Sequence, residues 1–279
     1  MTTSIGWRLA GLTIAPSDPD EVSTTAARAA LIGRLAPPAV VARRTAAWIW
    51  GFDLLPPSSG LTRLEIDLLD VAHVPPSHVV EESGIHVTSL TRTALDCARW
   101  LPRAEAVAGL DQFLRAGVAR ANLRRMAGEL PAYRNSSRLR EVLRLGDAGA
   151  ASPGESRVRF AIIEAGFPRP RTQIPVPGPR GDPFYIDLGY ERFRLGIEYD
   201  GEPHHLGARA RARDEGRRRW LAREAGWEII PVTRDFLPHP APYLEALLTA
   251  LLHRGWHPSD RTLDRIATHL TRLRRRRTT

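Results

Sequence analysis

The chain contains no lysine: its Lys-plus-Arg total of 40 is all arginine, against 31 Asp and Glu, for a formal net charge of +9. Arginine binds phosphate bidentately and stays charged at any physiological pH, so this excess favours a polyanionic partner. Coding bias accounts for the missing lysine equally well and leaves the positive balance in place. With one cysteine, Cys97, an internal disulfide and a cysteine-based zinc site are excluded, and its neighbours suggest a core helix position. No stretch approaches the roughly eighteen consecutive apolar residues of a membrane span, and the N-terminus lacks a basic segment followed by an apolar run. A soluble, cytoplasmic protein with no membrane partner is expected.

What is present fits two ordinary domains. At 279 residues and 43% apolar, the chain is long enough to bury two cores and is not a disordered sequence. Its most informative stretch is Phe184-Tyr-Ile-Asp-Leu-Gly-Tyr190 with Phe193-Arg-Leu-Gly-Ile-Glu-Tyr-Asp-Gly201, two runs of period-two alternation flanking Glu191-Arg192, which reads as a hairpin. A turn centred on Glu191 and Arg192 sets Asp187 opposite Gly196, and alternation then puts Ile186, Leu188, Leu195, Ile197 and Tyr199 on one face. Asp187, Glu198 and Asp200 fall on the other, with Glu198 diagonal to Asp187. Three carboxylates gathered on a strand face need a compensating cation or proton, and a hard divalent metal such as Mg2+ or Mn2+ meets that need. A turn one residue longer would reverse one strand and separate the set.

Along the chain, residues 1–22 form a poorly patterned lead-in. A helix is expected over Thr24–Leu35, stopped by Pro37-Pro38, and a second over Ala39–Trp50, ended by Gly51. Leu64–Leu69 and Ile85–Leu90 read as strands, and Thr91–Trp100 and Arg103–Ala116 as helices. Arg92 and Asp96 sit at i,i+4 spacing, which suggests an intrahelical pair on a surface contributing a few tenths of a kcal/mol. Residues 118–150 form a helical connection ending in the small-residue run Gly146–Ala151, the expected boundary.

The runs Ala39-Val-Val-Ala-Arg-Arg-Thr-Ala-Ala47, Val87-Thr-Ser-Leu-Thr-Arg-Thr-Ala-Leu-Asp96 and Glu105-Ala-Val-Ala-Gly-Leu-Asp111 resemble the body of AbiEi-type antitoxins of type IV toxin–antitoxin systems. That resemblance implies DNA binding and a cognate toxin. Members of that family often begin with a winged helix, for which the lead-in here is too short.

The second half opens with a helix from Ser152, capped by that serine, with Glu155 in its first turn, where the helix dipole favours an anion. From local sequence a plain dipole partner is the better account of Glu155. A strand with edge-type prolines, Pro170–Pro177, precedes the hairpin. After Glu202-Pro-His-His205 comes a basic helix, about Ala208–Ala225, carrying Arg209, Arg211, Arg213, Arg217 and Arg218. Those arginines could carry a phosphate backbone towards the acidic face, or form a solvated face paired with Asp214, Glu215 and Glu224. A strand at Trp227–Thr233 and a helix at Pro242–His253 follow. The last residues, 257–279, are expected to be a basic tail, frayed over Leu270–Thr279, that attracts nucleic acid without reading sequence.

This order, α-β-β-β-α-β, with Glu155, Asp187, Glu198-Tyr-Asp200-Gly201, His204 and His205, Asp214 with Arg217 or Arg218, and Gly226-Trp227, resembles the PD-(D/E)XK restriction-endonuclease-like superfamily, in particular its branch similar to very-short-patch-repair endonucleases. The resemblance implies that Asp187 and Glu198 are metal ligands, Glu155 an accessory carboxylate, and His204 or His205 a proton carrier or phosphate contact. One departure is that Asp200 stands where the superfamily has its lysine, which removes one electrostatic contribution to catalysis. The chain is thus expected to be α/β in two parts, residues 1–150 antitoxin-like and 151–256 endonuclease-like. The function implied is magnesium-dependent hydrolysis of phosphodiesters, in DNA rather than RNA, or else a non-catalytic DNA-binding regulator.

Overall fold

The computed structural model describes residues 7–9, 29, 39–52, 54, 66–69, 74–130, 133, 136–179, 181–201 and 208–275. The chain divides into two compact units, Met1–Gly146 and Asp147–Thr279, at the first residue of the small-residue run. Each is built on its own mixed sheet, so the fold is α/β, with nine α-helices among the described residues. None of these is long and apolar enough to cross a membrane.

In the first unit the strands are β1 (Trp7–Leu9), β2 (Val40–Val41), β3 (Ile66–Leu69), β4 (Val79–Glu82) and β5 (Ile85–Thr88), in the spatial order β1-β3-β2-β5-β4. Only β2 and β5 run parallel. Two expectations are corrected here. The lead-in contributes strand β1, because Trp7–Leu9 pair with Leu68 to Ile66 far along the chain. The helix expected over Ala39–Trp50 starts only at Arg43 (α1, Arg43–Ile49), since Val40 and Val41 are drawn into the centre of the sheet, where β-branched side chains pack well. The helix expected over Thr24–Leu35 lies outside the described residues apart from Ala29.

Helices α2 (Leu90–Trp100), α3 (Arg103–Arg115), α4 (Arg120–Glu129) and α5 (Ser137–Leu145) follow. Their apolar stripes bury Leu95, Val107, Leu110, Phe113, Leu123, Leu139 and Val142. Cys97 is fully buried on α2, and burial pushes its thiol well up. The surface pair expected of Arg92 and Asp96 is instead interior: Arg92 is 6% exposed and Asp96 1%. Arg92 Nε donates to Asp96 Oδ1 at 2.9 Å, the Tyr133 hydroxyl donates to the same oxygen, and Arg92 Nη1 lies 3.1 Å from His78 Nδ1. Burial first, and then the Arg92 charge, hold the His78 pKa below its ordinary value. Arginine can only donate, so His78 Nδ1 is the acceptor facing Arg92, and its Nε2 lies 3.8 Å from Glu129 Oε2.

The second unit stacks helices on both faces of a four-stranded sheet. Helix α6 (Pro153–Ala165) leads into β6 (Arg171–Pro177), β7 (Pro183–Tyr190), β8 (Leu195–Asp200), helix α7 (Ala208–Arg223), β9 (Glu228–Thr233), and helices α8 (Ala241–His253) and α9 (Asp260–Arg275). The sheet order is β6-β7-β8-β9, antiparallel until β8 and β9 run parallel across the α7 crossover. Pro175 and Pro177 lie on the edge strand, the place where a missing N–H costs least.

One face carries the main core: Val158 and Ile162 from α6, Leu188, Tyr190, Leu195, Ile197, Ile230 and Val232 from the sheet, Leu244, Leu247 and Leu251 from α8, and Ile266 and Leu270 from α9. The other face packs Ile174, Val176, Ile186 and Trp227 under Leu221 of α7. The tail expected from residue 257 is therefore corrected to a helix, α9, that reaches Arg275. Leu263, Ile266, Leu270 and Leu273 recur along one stripe of α9 with arginines on the rest, and Ile266 is fully buried.

Candidate active site

The hairpin that positions the acidic residues has a longer loop than a two-residue turn. Glu191–Phe193 make a turn of 3-10 helix and Arg194 takes left-handed backbone angles, φ 45° and ψ 45°. Gly189 consequently pairs with Gly196 and Leu188 with Ile197, correcting the expected match of Asp187 with Gly196 by two residues. An even shift leaves the facing of β8 unchanged. Asp187 and Glu198, the next residues outward from the Leu188 and Ile197 pair, become neighbours across the strands rather than diagonal partners.

At that point the pleat of β7 breaks. Leu188 belongs to the core under α6 and α8, whereas Ile186 belongs to the cluster under α7, so Ile186 does not share the face expected of it. Across from the break, Gln173 of β6 adopts φ 48°, a left-handed conformation uncommon for any residue with a side chain. The Tyr199 backbone N–H, freed from the ladder, donates instead to Asp187 Oδ2 at 2.9 Å. The tyrosine ring packs against the first turn of α6, where a Cβ on Gly154 would sit 1.9 Å from its Cε1; only glycine leaves that space.

Glu155 lies in the first turn of α6 and also beside Asp187. Ser152 Oγ caps α6 by accepting from Glu155 N–H. The Glu155 carboxylate reaches back to accept from Ala151 N–H at 2.8 Å and from Gln173 Nε2 at 3.1 Å. It is buried to 6%, so the dipole-partner account is incomplete: its charge acts on Asp187. Burial first and Glu155 second push the Asp187 carboxyl up to about 6, while the Tyr199 N–H, Arg217 and the Gln173 amide pull the other way. Gln173 thus donates to Glu155 and lies close enough to Asp187 to lower its pKa. Sequence reasoning missed it, although alternation with the buried Ile174 was a signal that it faced away from that core.

Glu198 is 6% exposed and burial raises its pKa, opposed chiefly by Arg217. Arg217 Nη2 donates to Glu198 Oε1 and to the Tyr185 carbonyl, each at 2.6 Å, and its guanidinium lies 5.8 Å over the Phe184 ring. Arg218 Nε approaches Glu198 Oε2 at 3.7 Å. Leu221, one helical turn after Arg217, is buried beneath α7 and aims the Arg217 stripe at the sheet. Arg217, expected as a phosphate contact, pairs with Glu198 in this structure. Asp200, expected beside Asp187 and Glu198, is exposed at the end of β8, and its charge acts on Tyr199. His204 and His205 lie outside the described residues, as do the side chains of Arg209, Arg211, Arg213 and Asp214.

The residues suit a divalent metal in donor chemistry. Asp187 and Glu198 offer hard carboxylate oxygens, and Asp187 is a half-buried acid with one oxygen committed to the Tyr199 N–H. Among the described residues no three His, Cys, Asp or Glu form a ready metal-holding group. Magnesium is commonly held by one or two carboxylates, with waters and substrate phosphate completing its octahedron.

The chain is 31% identical over 242 residues, 81% of its length, to two uncharacterised proteins of Mycobacterium tuberculosis, MT2308 of strain CDC 1551 / Oshkosh and Rv2248 of strain H37Rv, covering 88% of each. It belongs to their family. The matched stretch is longer than either unit, so the family shares sequence from both units. No family model matches the chain, and no solved structure does.

Proposed function

We propose that the second unit is a metal-dependent phosphodiesterase of the PD-(D/E)XK type acting on nucleic acid, DNA in preference to RNA. The observation that carries this is the Glu155, Gln173, Asp187, Glu198 and Arg217 constellation, in which two buried acids, Glu155 and Glu198, flank the half-buried Asp187 at a break in the sheet and Asp187 is held near a pKa of 6 by its surroundings. Structural interiors rarely gather acids without function. Asp187 and Glu198 would hold magnesium or manganese, which when bound supplies Lewis-acid activation of the phosphodiester. Glu155, held by Gln173, raises the Asp187 pKa by its charge, and the Tyr199 N–H fixes one Asp187 oxygen. Arg217 brings from α7 a positive charge that Asp200, in the place of the superfamily lysine, does not supply. The arginines of α7 are the phosphate contacts, giving a binding energy that falls steeply with salt.

A second function is favoured by one observation: both oxygens of Glu198 already face guanidinium groups. A fold that kept this pairing permanently would be a non-catalytic DNA-binding regulator, with a toxin as partner in keeping with the antitoxin-like first unit. Plasmid nicking separates the two. The nuclease predicts nicking of supercoiled DNA with magnesium or manganese, abolished in Asp187→Asn and Glu198→Gln with circular dichroism unchanged. Salt-sensitive binding without nicking of any DNA or RNA would assign the regulator.

A further inference from the structure

The Arg217 to Glu198 contact has the form of a latch. Arg217 Nη2 is shared between Glu198 Oε1 and the Tyr185 carbonyl, both at 2.6 Å, and a cation bound by Glu198 would have to displace a guanidinium from that carboxylate. A divalent cation on this buried carboxylate would lie close to the guanidinium and be repelled by it. Yet the arginine is not locked in: its side chain is 24% exposed, against 7% for Glu198. Arg218, the next residue, is 42% exposed and stands 3.7 Å from the second oxygen. A phosphate arriving along α7 therefore meets two adjacent guanidinium groups before it meets the acids. Arginine pairs with phosphate as well as with carboxylate, through the same planar fork.

Resting on the metal-dependent function proposed above, we propose that Arg217 is a substrate-operated guard. Without nucleic acid it occupies Glu198 and keeps metal affinity low; a backbone phosphate draws it off and frees the carboxylate. Metal and polyanion then bind with positive coupling, and each tightens the other by the same factor. The arrangement limits metal loading, and hence cleavage, to the moment when a strand is seated. Tyr185 contributes through its carbonyl alone, which holds the guanidinium in register with Glu198.

The test is manganese binding to the full chain, read from the electron paramagnetic resonance of free manganese, with and without a short phosphorothioate DNA duplex. A hydrogen bond between charged groups corresponds to at least about tenfold in affinity. Arg217→Gln is expected to bind manganese at least about tenfold more tightly than wild type without the duplex. The duplex is expected to tighten wild-type binding by a similar factor and to leave Arg217→Gln unchanged. Arg217→Lys, which keeps the charge, should retain the coupling and controls for misfolding. If wild type and Arg217→Gln bind the metal equally tightly and the duplex changes neither, the guard is overturned while the metal site stands. If no variant binds manganese, with or without duplex, both the guard and the metal-dependent function fall.

Discussion

Asp187 should weaken the metal-free fold, and replacing it should strengthen that fold in a pH-dependent way. Its carboxyl is pushed from an ordinary value of 3.8 to about 6, first by burial and then by Glu155. Below pH 3.8 the folded and unfolded chains both carry the proton and there is no penalty. Between pH 3.8 and 6 the unfolded chain has released a proton that the folded chain retains, so stability falls as pH rises. Above pH 6 the cost is complete: about two pH units at about 1.4 kcal/mol each, or about 3 kcal/mol. Asp187→Asn keeps an oxygen to accept from the Tyr199 N–H and carries no charge. In the presence of chelator, the variant should be more stable than wild type by about 2 to 3 kcal/mol at pH 8 and by nearly nothing at pH 4. Hydrogen exchange followed by mass spectrometry on peptides from residues 147–200 reports the second unit separately from the first. A variant less stable than wild type at pH 8, or a difference that ignores pH, would refute the reasoning.

Two further outcomes concern the rest of the molecule. In the first unit, Asp96→Asn removes the counter-charge of the interior Arg92 and should cost about 3 to 5 kcal/mol, whereas Tyr133→Phe removes one hydrogen bond to the same oxygen and should cost about 1 kcal/mol; urea titration monitored by exchange in α2 ranks them, and equal costs would contradict a buried ion pair. In the second unit, a fragment of residues 147–279 should fold alone, but one of residues 147–256 should not, because it lacks Ile266 and Leu270 of the core; a cooperative thermal transition in the shorter piece would count against that packing.

The two halves differed in how much the sequence disclosed. In the second unit each element is long enough to display its period, and the order helix, three strands, helix, strand is the one observed. The hairpin loop is two residues longer than expected, an even number, so the acid-bearing face of β8 was assigned correctly despite the wrong register. What stayed hidden depends on distant contacts. The break of the pleat at Asp187 comes with the left-handed Gln173 on a neighbouring strand, and no alternation rule foresees it. The Arg217 to Glu198 pair joins residues 19 apart in sequence, and its only local trace is that Arg217 lies one turn before the buried Leu221. In the first unit, Val40–Val41 and Trp7–Leu9 are too short to show any period, and their partners are set by pairing across the chain. The basic character of α9 drew attention from its apolar stripe, and so a core helix was taken for a tail.

Whether Asp187 and Glu198 hold one metal ion is read most directly by anomalous scattering from a crystal of the full chain grown with manganese and a phosphorothioate duplex. A single strong peak is expected in direct contact with a carboxylate oxygen of each residue, with Arg217 turned from Glu198 to a phosphate. A map with no peak at those carboxylates, and Arg217 still bridging Glu198 and the Tyr185 carbonyl, would contradict a shared metal site.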